Sequence, residues 1–233
     1  MRTNSLGQEI GEAAEDYQAA LFPTSHVIRG RFCTLEKVSE KHFDDLYRNV
    51  YGPGSDDKQW TYLPIEKFAS EPDFAGHLAK LINAEDPYSF AIVDNESGEA
   101  VGCFALMRIN TEHSSIEVGH VVYSERLKRT RTATEAQFLL ARYVFEELRY
   151  RRYEWKCDSL NASSKKAALR LGFRYEGTFR QALVYKKRNR DTSWFSIIDK
   201  EWPDLKNRFE NWLSDRNFDE HGNQISPLRK IDT

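Results

Sequence analysis

The 233-residue sequence predicts an α+β fold: a mixed, largely antiparallel sheet of about six to seven strands flanked by helices, with an extra C-terminal helix. Two observations carry that expectation. Three strand-like runs between Tyr88 and Ser124 follow one another across short polar turns, as in an antiparallel meander. Segments with helical spacing precede and follow them, each opened by a capping residue or a proline. A composition of 40% hydrophobic and 13% aromatic residues is ample for one sizeable core. The domain is expected over residues 26–200, after an arm (1–25) and before a C-terminal helix and tail (201–233).

The elements follow in order. "VIRGRFCTLEKV" reads as the first strand, and Ser39 opens a helix with Phe43, Leu46, Tyr47 and Val50 at helical spacing. "GPGSDDKQWTYLP" is a loop by its Gly, Pro and Asp content, and a second helix runs from about Pro72 to Asn83. "YSFAIVD", "AVGCFALMRI" and "SSIEVGHVVYS" form the meander. Thr132 and Glu135 read as a capping box, opening a helix whose stripe is Ala136, Leu139, Leu140, Tyr143, Val144 and Leu148. "YRRYEWKCDSL" is a strand, and a short helix is opened by Asn161 and closed by Gly172. Two long strands surround a turn at "RNRD", and the last helix starts at Pro203, carrying Leu205, Phe209, Trp212 and Leu213. From Ser214 onward the tail reads as unpacked.

Charge bounds the partners. With 34 basic and 36 acidic residues the net charge is −2, so no global field draws the chain to nucleic acid or an anionic membrane. Cys33, Cys103 and Cys157 have no C-x-x-C spacing, the histidines are scattered, and neither a metal site nor a disulfide framework is expected. No apolar run reaches the roughly 20 residues of a membrane span, and the N-terminus has no apolar signal core, so a cytoplasmic setting is expected.

"YSERLKRTRTATEA" places Arg126, Lys128, Arg129 and Arg131 between an apolar strand and a helix start. A helix N-terminus presents unpaired N–H groups and partial positive charge, so this stretch is either an anion site or a solvated charged turn. In "CDSLNASSKKAALRLGF", Asn161 and Ser164 share one side of a helix entrance; Asn161 is at least an N-cap. Glu117 is an ionisable group within an apolar strand, opposite Ile116 and Val118, and reads equally as a solvent-face carboxylate or a base.

Taken together these stretches resemble the GNAT superfamily of N-acetyltransferases, closest to the branch of ribosomal-protein N-terminal acetyltransferases. The resemblance covers about residues 26–200 through "GRFCTLEKVSEKHFDDL", "IEVGHVV", "LKRTRTATEAQFLL" and N-x-x-S followed by G-F-x-x-E-G. It implies acetyl-CoA as co-substrate, with its pyrophosphate at Lys128, Arg129, Thr130, Arg131, Thr132 and Ala133. Here Arg131 stands where the family pattern Q/R-x-x-G-x-G/A has its first glycine, and Ala133 stands at the second. The pantetheine arm is implied to pair with Val121, Val122 and Tyr123, in a strand whose bulge aims an N–H at the thioester carbonyl, and Asn161 to hold its amide. Ser164 is implied as the acid for the thiolate, with Tyr123 as an alternative. The acceptor ammonium has a pKa near ~10 and must lose a proton before attack; Glu117 is the candidate base.

The acceptor pocket is expected around "DKQWTYLP" and Arg180, Tyr185 and Trp194; Trp60 and Tyr62 read as pocket walls or as anchors of that loop to the core. "KKRNR" reads as a solvated hairpin end and Cys157 as buried packing. The expected function is direct acetyl transfer to a primary amine, on a protein N-terminus or a small molecule. The competing reading is a non-catalytic acyl-CoA-binding or scaffold protein that retains the acetyltransferase fold. A nucleic-acid module lacks the aromatic interleaving such sites use, and oligomeric state is not readable.

Overall fold

The computed structural model describes residues 2–228. A short ribbon of β1 (Arg2–Thr3) and β2 (Glu9–Ile10) precedes the main sheet. The main sheet contains β3 (Val27–Arg29), β4 (Cys33–Lys37), β5 (Tyr88–Asp94), β6 (Ala100–Asn110), β7 (Ser115–Tyr123), β8 (Arg152–Asp158), β9 (Arg174–Tyr185) and β10 (Arg188–Ile198). Their spatial order is β3-β4-β5-β6-β7-β8-β10-β9. Neighbours are antiparallel except β7 and β8, which run parallel. The helices are α1 (Phe43–Leu46), α2 (Glu71–Asn83), α3 (Arg131–Arg142), α4 (Ala162–Arg170) and α5 (Trp202–Leu213).

Alternation along the strands divides two apolar clusters between the faces of the sheet. Phe104, Leu106, Ile116 and Val118 pack with Leu139, Leu140 and Val144 of the α3 segment. Cys103, Ala91 and Val122 pack with Leu46, Val50, Tyr51, Trp60 and Phe74 beneath α1 and α2. α5 belongs to the first cluster: Phe209 stacks on Phe138 at 5.4 Å, and Trp202 on Phe145 at 5.1 Å.

Several elements differ from the sequence expectation for physical reasons. "VIRGRFCTLEKV" is a hairpin, because the Glu135 carboxylate accepts from the N–H groups of Arg31 (2.9 Å), Phe32 (2.6 Å) and Cys33 (2.9 Å) and turns the chain there. Glu135 is therefore not half of a capping box. Thr130, not Thr132, caps α3, its Oγ1 accepting from the Ala133 N–H at 3.0 Å. The helix expected from Ser39 is three short pieces, a 3-10 turn (Glu40–His42), α1 and a π turn (Tyr47–Tyr51). Within "GPGSDDKQWTYLP", expected as loop, Asp57–Tyr62 form a 3-10 helix. The last hairpin turns at Lys186 and Lys187, both left-handed (φ 47° and 58°), which puts "RNRD" inside β10. The described part of the tail is packed: Phe218 meets Trp212 edge-on at 5.2 Å, and the Leu228 carbonyl accepts from Arg208 at 2.9 Å. Gly172 closes α4 as expected, at φ +100°.

Gly30 sets how closely the first hairpin approaches α3. A Cβ there would lie 2.6 Å from Leu139 Cδ1, 2.7 Å from the Glu135 carboxylate and 2.8 Å from the Cys33 carbonyl. Gly30→Ala is expected to cost about 1–3 kcal/mol by overpacking. A thermal melt should show it as a drop of about 2–4 °C per kcal/mol.

Candidate active site

The site begins where two strands part. β7 and β8 pair from Ser115 with Arg152 to Val118 with Trp155, and no further. Beyond that point β7 stays on β6 as far as Tyr123 with Gly102, and β8 stays on β10 as far as Asp158 with Thr192. A fork opens between them. On β7 the register against β6 slips between Gly119 and Val122, and His120 there has φ +50°, so the strand bulges at the mouth of the fork.

At the end of β7 the chain turns into α3. Arg129 is exposed at φ +64°, whereas Arg131 is already helical, so the position held by a family glycine needs no left-handed backbone here. The four cations have different fates. Arg126 pairs with Glu99, and Lys128 pairs with Glu125 and reaches Asp56 at 3.7 Å. Arg131 bonds the Leu213 carbonyl and Asp215 (2.9 Å), with the rings of Phe32 (4.4 Å) and Phe218 (4.2 Å) on its guanidinium. Arg129 has no ion-pair partner among the described residues. An anion at this helix start would therefore meet Arg129 and first-turn N–H groups, which lack intrahelical acceptors, and the Arg131 side chain points its charge at the C-terminal segment. The residues present fit a pyrophosphate.

Across the fork, β8 leads into α4. Asn161 Oδ1 accepts from the Ser164 N–H at 3.0 Å, and Ser164 Oγ accepts from Trp155 Nε1 at 2.9 Å. Trp155 takes one lone pair of the hydroxyl, and the Cys157 thiol lies within hydrogen-bond reach of the same group. Tyr123 turns the other way: its hydroxyl accepts from Gln137 of α3 at 2.7 Å, and burial raises its pKa well above the usual tyrosine range.

Glu117 lies on the α2 side of the sheet, 3% exposed. Its Oε2 takes Arg108 Nη1 at 2.8 Å and Lys156 Nζ at 2.9 Å, and Lys156 also reaches Glu154 at 2.7 Å. Burial pushes the Glu117 carboxyl up, and Lys156 and Arg108 pull it back without cancelling. Lys156 sits 3.7 Å over the Trp194 ring, whose Nε1 has no hydrogen-bond partner among the described residues.

Of the expected acceptor segments, the one holding Trp60 and Tyr62 meets the β9–β10 hairpin, and Trp194 alone touches this wall. Trp60 is buried, its Nε1 donating to Ser55 Oγ at 3.0 Å, so it anchors its loop. Tyr62 donates to the Leu160 carbonyl at 3.2 Å, while Lys186 and Arg188 donate to the carbonyls of Trp60 (2.6 Å) and Thr61 (2.5 Å). "KKRNR" is thus a docking contact, not a solvated end. Tyr185 bonds Asp158 at 2.8 Å, and Arg180 is exposed on the outer strand. Cys157 is buried. Sequence reasoning missed Lys156, Arg108 and His120. Lys156 was readable, since it alternates with Glu154 in "EWK"; its pairing with Glu117 needs the parallel register.

This is the architecture of an acyl-CoA-dependent acyltransferase. Residues 33–174 match the acetyltransferase (GNAT) domain, and the chain belongs to that family. A GCN5-related N-acetyltransferase from Brucella melitensis is 40% identical, with 92% of this chain and 97% of that one covered at a TM-score of 0.89. A probable GNAT acetyltransferase from Chromobacterium violaceum is also 40% identical, covering 84% and 98%, at a TM-score of 0.78. The uncharacterized N-acetyltransferase YnaD of Bacillus subtilis is 23% identical over 71% of this chain and 94% of its own. The chain is an N-acetyltransferase, and acetyl-CoA is its co-substrate.

His77 of α2 packs on Phe68 (4.9 Å) and Tyr51 (5.5 Å), and burial, with smaller effects of His120 and Lys80, pushes its pKa down to about 4 from 6.5. The unfolded chain then binds more protons between those values, so stability present above pH 6.5 is lost as pH falls toward 4. Melts across this window should show a shallower decline for His77→Gln than for the unaltered protein.

Proposed function

We propose that this enzyme transfers acetyl directly from acetyl-CoA to a primary amine, on a protein N-terminus or a small molecule, with both substrates bound together. The observation that supports it best is the fork itself, which opens between the bulged end of β7 and the end of β8 just past Glu117 and Trp155, the residue that Ser164 bonds. When bound, acetyl-CoA supplies an activated acyl group and a thiolate leaving group. Arg129 and the N–H groups of Arg131 and Thr132 would hold its phosphates, with Lys128, and Thr130 capping the Ala133 N–H, shaping the turn. The freed backbone of Val121, Val122 and Tyr123 would align the pantetheine arm, and Asn161 would hold its amide. An N–H at the bulge would stabilise the carbonyl oxygen as charge develops there. Ser164 would give its proton to the departing sulfur, with Tyr123, whose buried hydroxyl is turned toward Gln137 of α3, as the alternative. Proton removal from the amine falls to the wall that carries Glu117. Trp194 offers that wall an unpaired donor.

A cytoplasmic setting fits three free buried thiols. Among the described residues, no helix is long and apolar enough to cross a membrane.

The test is a thermal-shift titration with acetyl-CoA against an ADP control, followed by acetyl transfer to spermidine and to a peptide with a free N-terminal serine. Ligand at about 100 times its Kd should add about 2.7 kcal/mol, and a shift no larger than that with ADP would count against the placement of the arm. Ser164→Ala should lower kcat by about 10²-fold or more while keeping the acetyl-CoA shift. Glu117→Gln should lower turnover about tenfold or more by the same criterion. Unchanged turnover in both would overturn the assigned roles.

A further inference from the structure

We propose that His120, at the β7 bulge, is the group that receives the proton of the acceptor amine, while Glu117 holds Arg108 and Lys156 in place beside it. This rests on the direct-attack reading above. Glu117 is poorly free to act first: two cations share its Oε2 at 2.8 and 2.9 Å, and it is 3% exposed. Both cations hold Oε2, which leaves an amine only the Oε1 edge of a buried carboxylate to approach.

His120 has the opposite situation. It is half-buried, at the residue where β7 slips against β6 and has already left β8, so its side chain is carried by the mouth of the fork and not by a regular ladder. Left-handed backbone at a non-glycine residue is unfavourable and gathers at functional sites. The groups around its ring come from three segments: Arg108 on β6, Asp86 before β5 and His77 on α2. Burial lowers its pKa most, Arg108 lowers it further and Asp86 opposes them, which leaves a neutral imidazole near pH 7. A neutral ring has a nitrogen lone pair to offer.

The proton count closes. The acceptor ammonium gives one proton to the His120 ring, which passes it to water. The freed nitrogen lone pair forms the bond to the acyl carbon as the carbon–sulfur bond breaks and its electron pair leaves on sulfur. Ser164 protonates that sulfur, and the nitrogen's second proton restores the hydroxyl through solvent.

The experiment pairs NMR titration of ¹³C-labelled histidine with pH profiles of kcat/KM, using spermidine and the N-terminal serine peptide as acceptors. The His120 ring, identified by its loss in His120→Gln, should titrate below 6.5, its ordinary value. The rising limb of kcat/KM should share that midpoint. His120→Gln should lose the limb and about a hundredfold in rate while keeping its acetyl-CoA thermal shift. Glu117→Gln should keep the limb and move it to lower pH, because Arg108 loses its counter-charge. A ring midpoint at or above 6.5 overturns the proposal without any turnover measurement, as does an unchanged limb in His120→Gln. Parallel double-reciprocal lines would instead sink the direct-attack reading, whereas failure of the His120 assignment alone would leave intersecting lines.

Discussion

β7 and β8 are the one parallel pair among the described strands, and much of the site depends on that fact. A parallel connection needs a crossover, supplied here by α3, so the helix must start just after the end of β7, at the loop proposed to hold the cofactor. The pair shares only Ser115–Val118 and Arg152–Trp155. Past that register each strand is held on its outer edge, by β6 and by β10, which keeps the gap from closing on itself. Backbone groups that a ladder would consume are left for a ligand.

The fork also explains where buried charge accumulates. A chain of ion pairs runs across the α2-side face from Arg108 through Glu117, Lys156, Glu154 and Arg152 to Glu176. At its buried centre, Glu117 with Lys156 and Glu154, such pairs add little net stability, because desolvation offsets their attraction, but removing one partner strands the other. Their value here is positional: they fix cations beside the fork while leaving its wall without a large net charge. By contrast, Arg126 and Lys128 make exposed surface pairs, which are worth ~0–1 kcal/mol.

The order of strands and helices was readable because periodicity and turn residues act locally. Glu117 at the sheet centre and Ser164 beside Asn161 were reachable for the same reason, each lying in a short motif. What stayed hidden depends on contacts distant in sequence. Glu135 looked like a capping partner of Thr132 because both options use a carboxylate one turn from a hydroxyl; the choice is made by N–H groups about a hundred residues earlier. "KKRNR" looked solvated because its partners are carbonyls of Trp60 and Thr61. The His120 bulge could not be read from "GHVV", since a bulge is a mismatch between two strands and one strand alone does not show it.

Arg131 shows how a departure from the family pattern can be absorbed by the fold. The left-handed residue of the loop is Arg129, so a side chain at 131 meets no backbone penalty. Its guanidinium is taken up by Asp215, the Leu213 carbonyl and two aromatic rings. The segment after α5, which looked unpacked, is therefore tied to the first turn of α3. That turn is then held from two sides, by Glu135 gripping the first hairpin and by Arg131 gripping the C-terminal segment. A helix start fixed this way presents its N–H groups in a set direction before any ligand arrives, and a fixed donor array loses less freedom on binding than a mobile one.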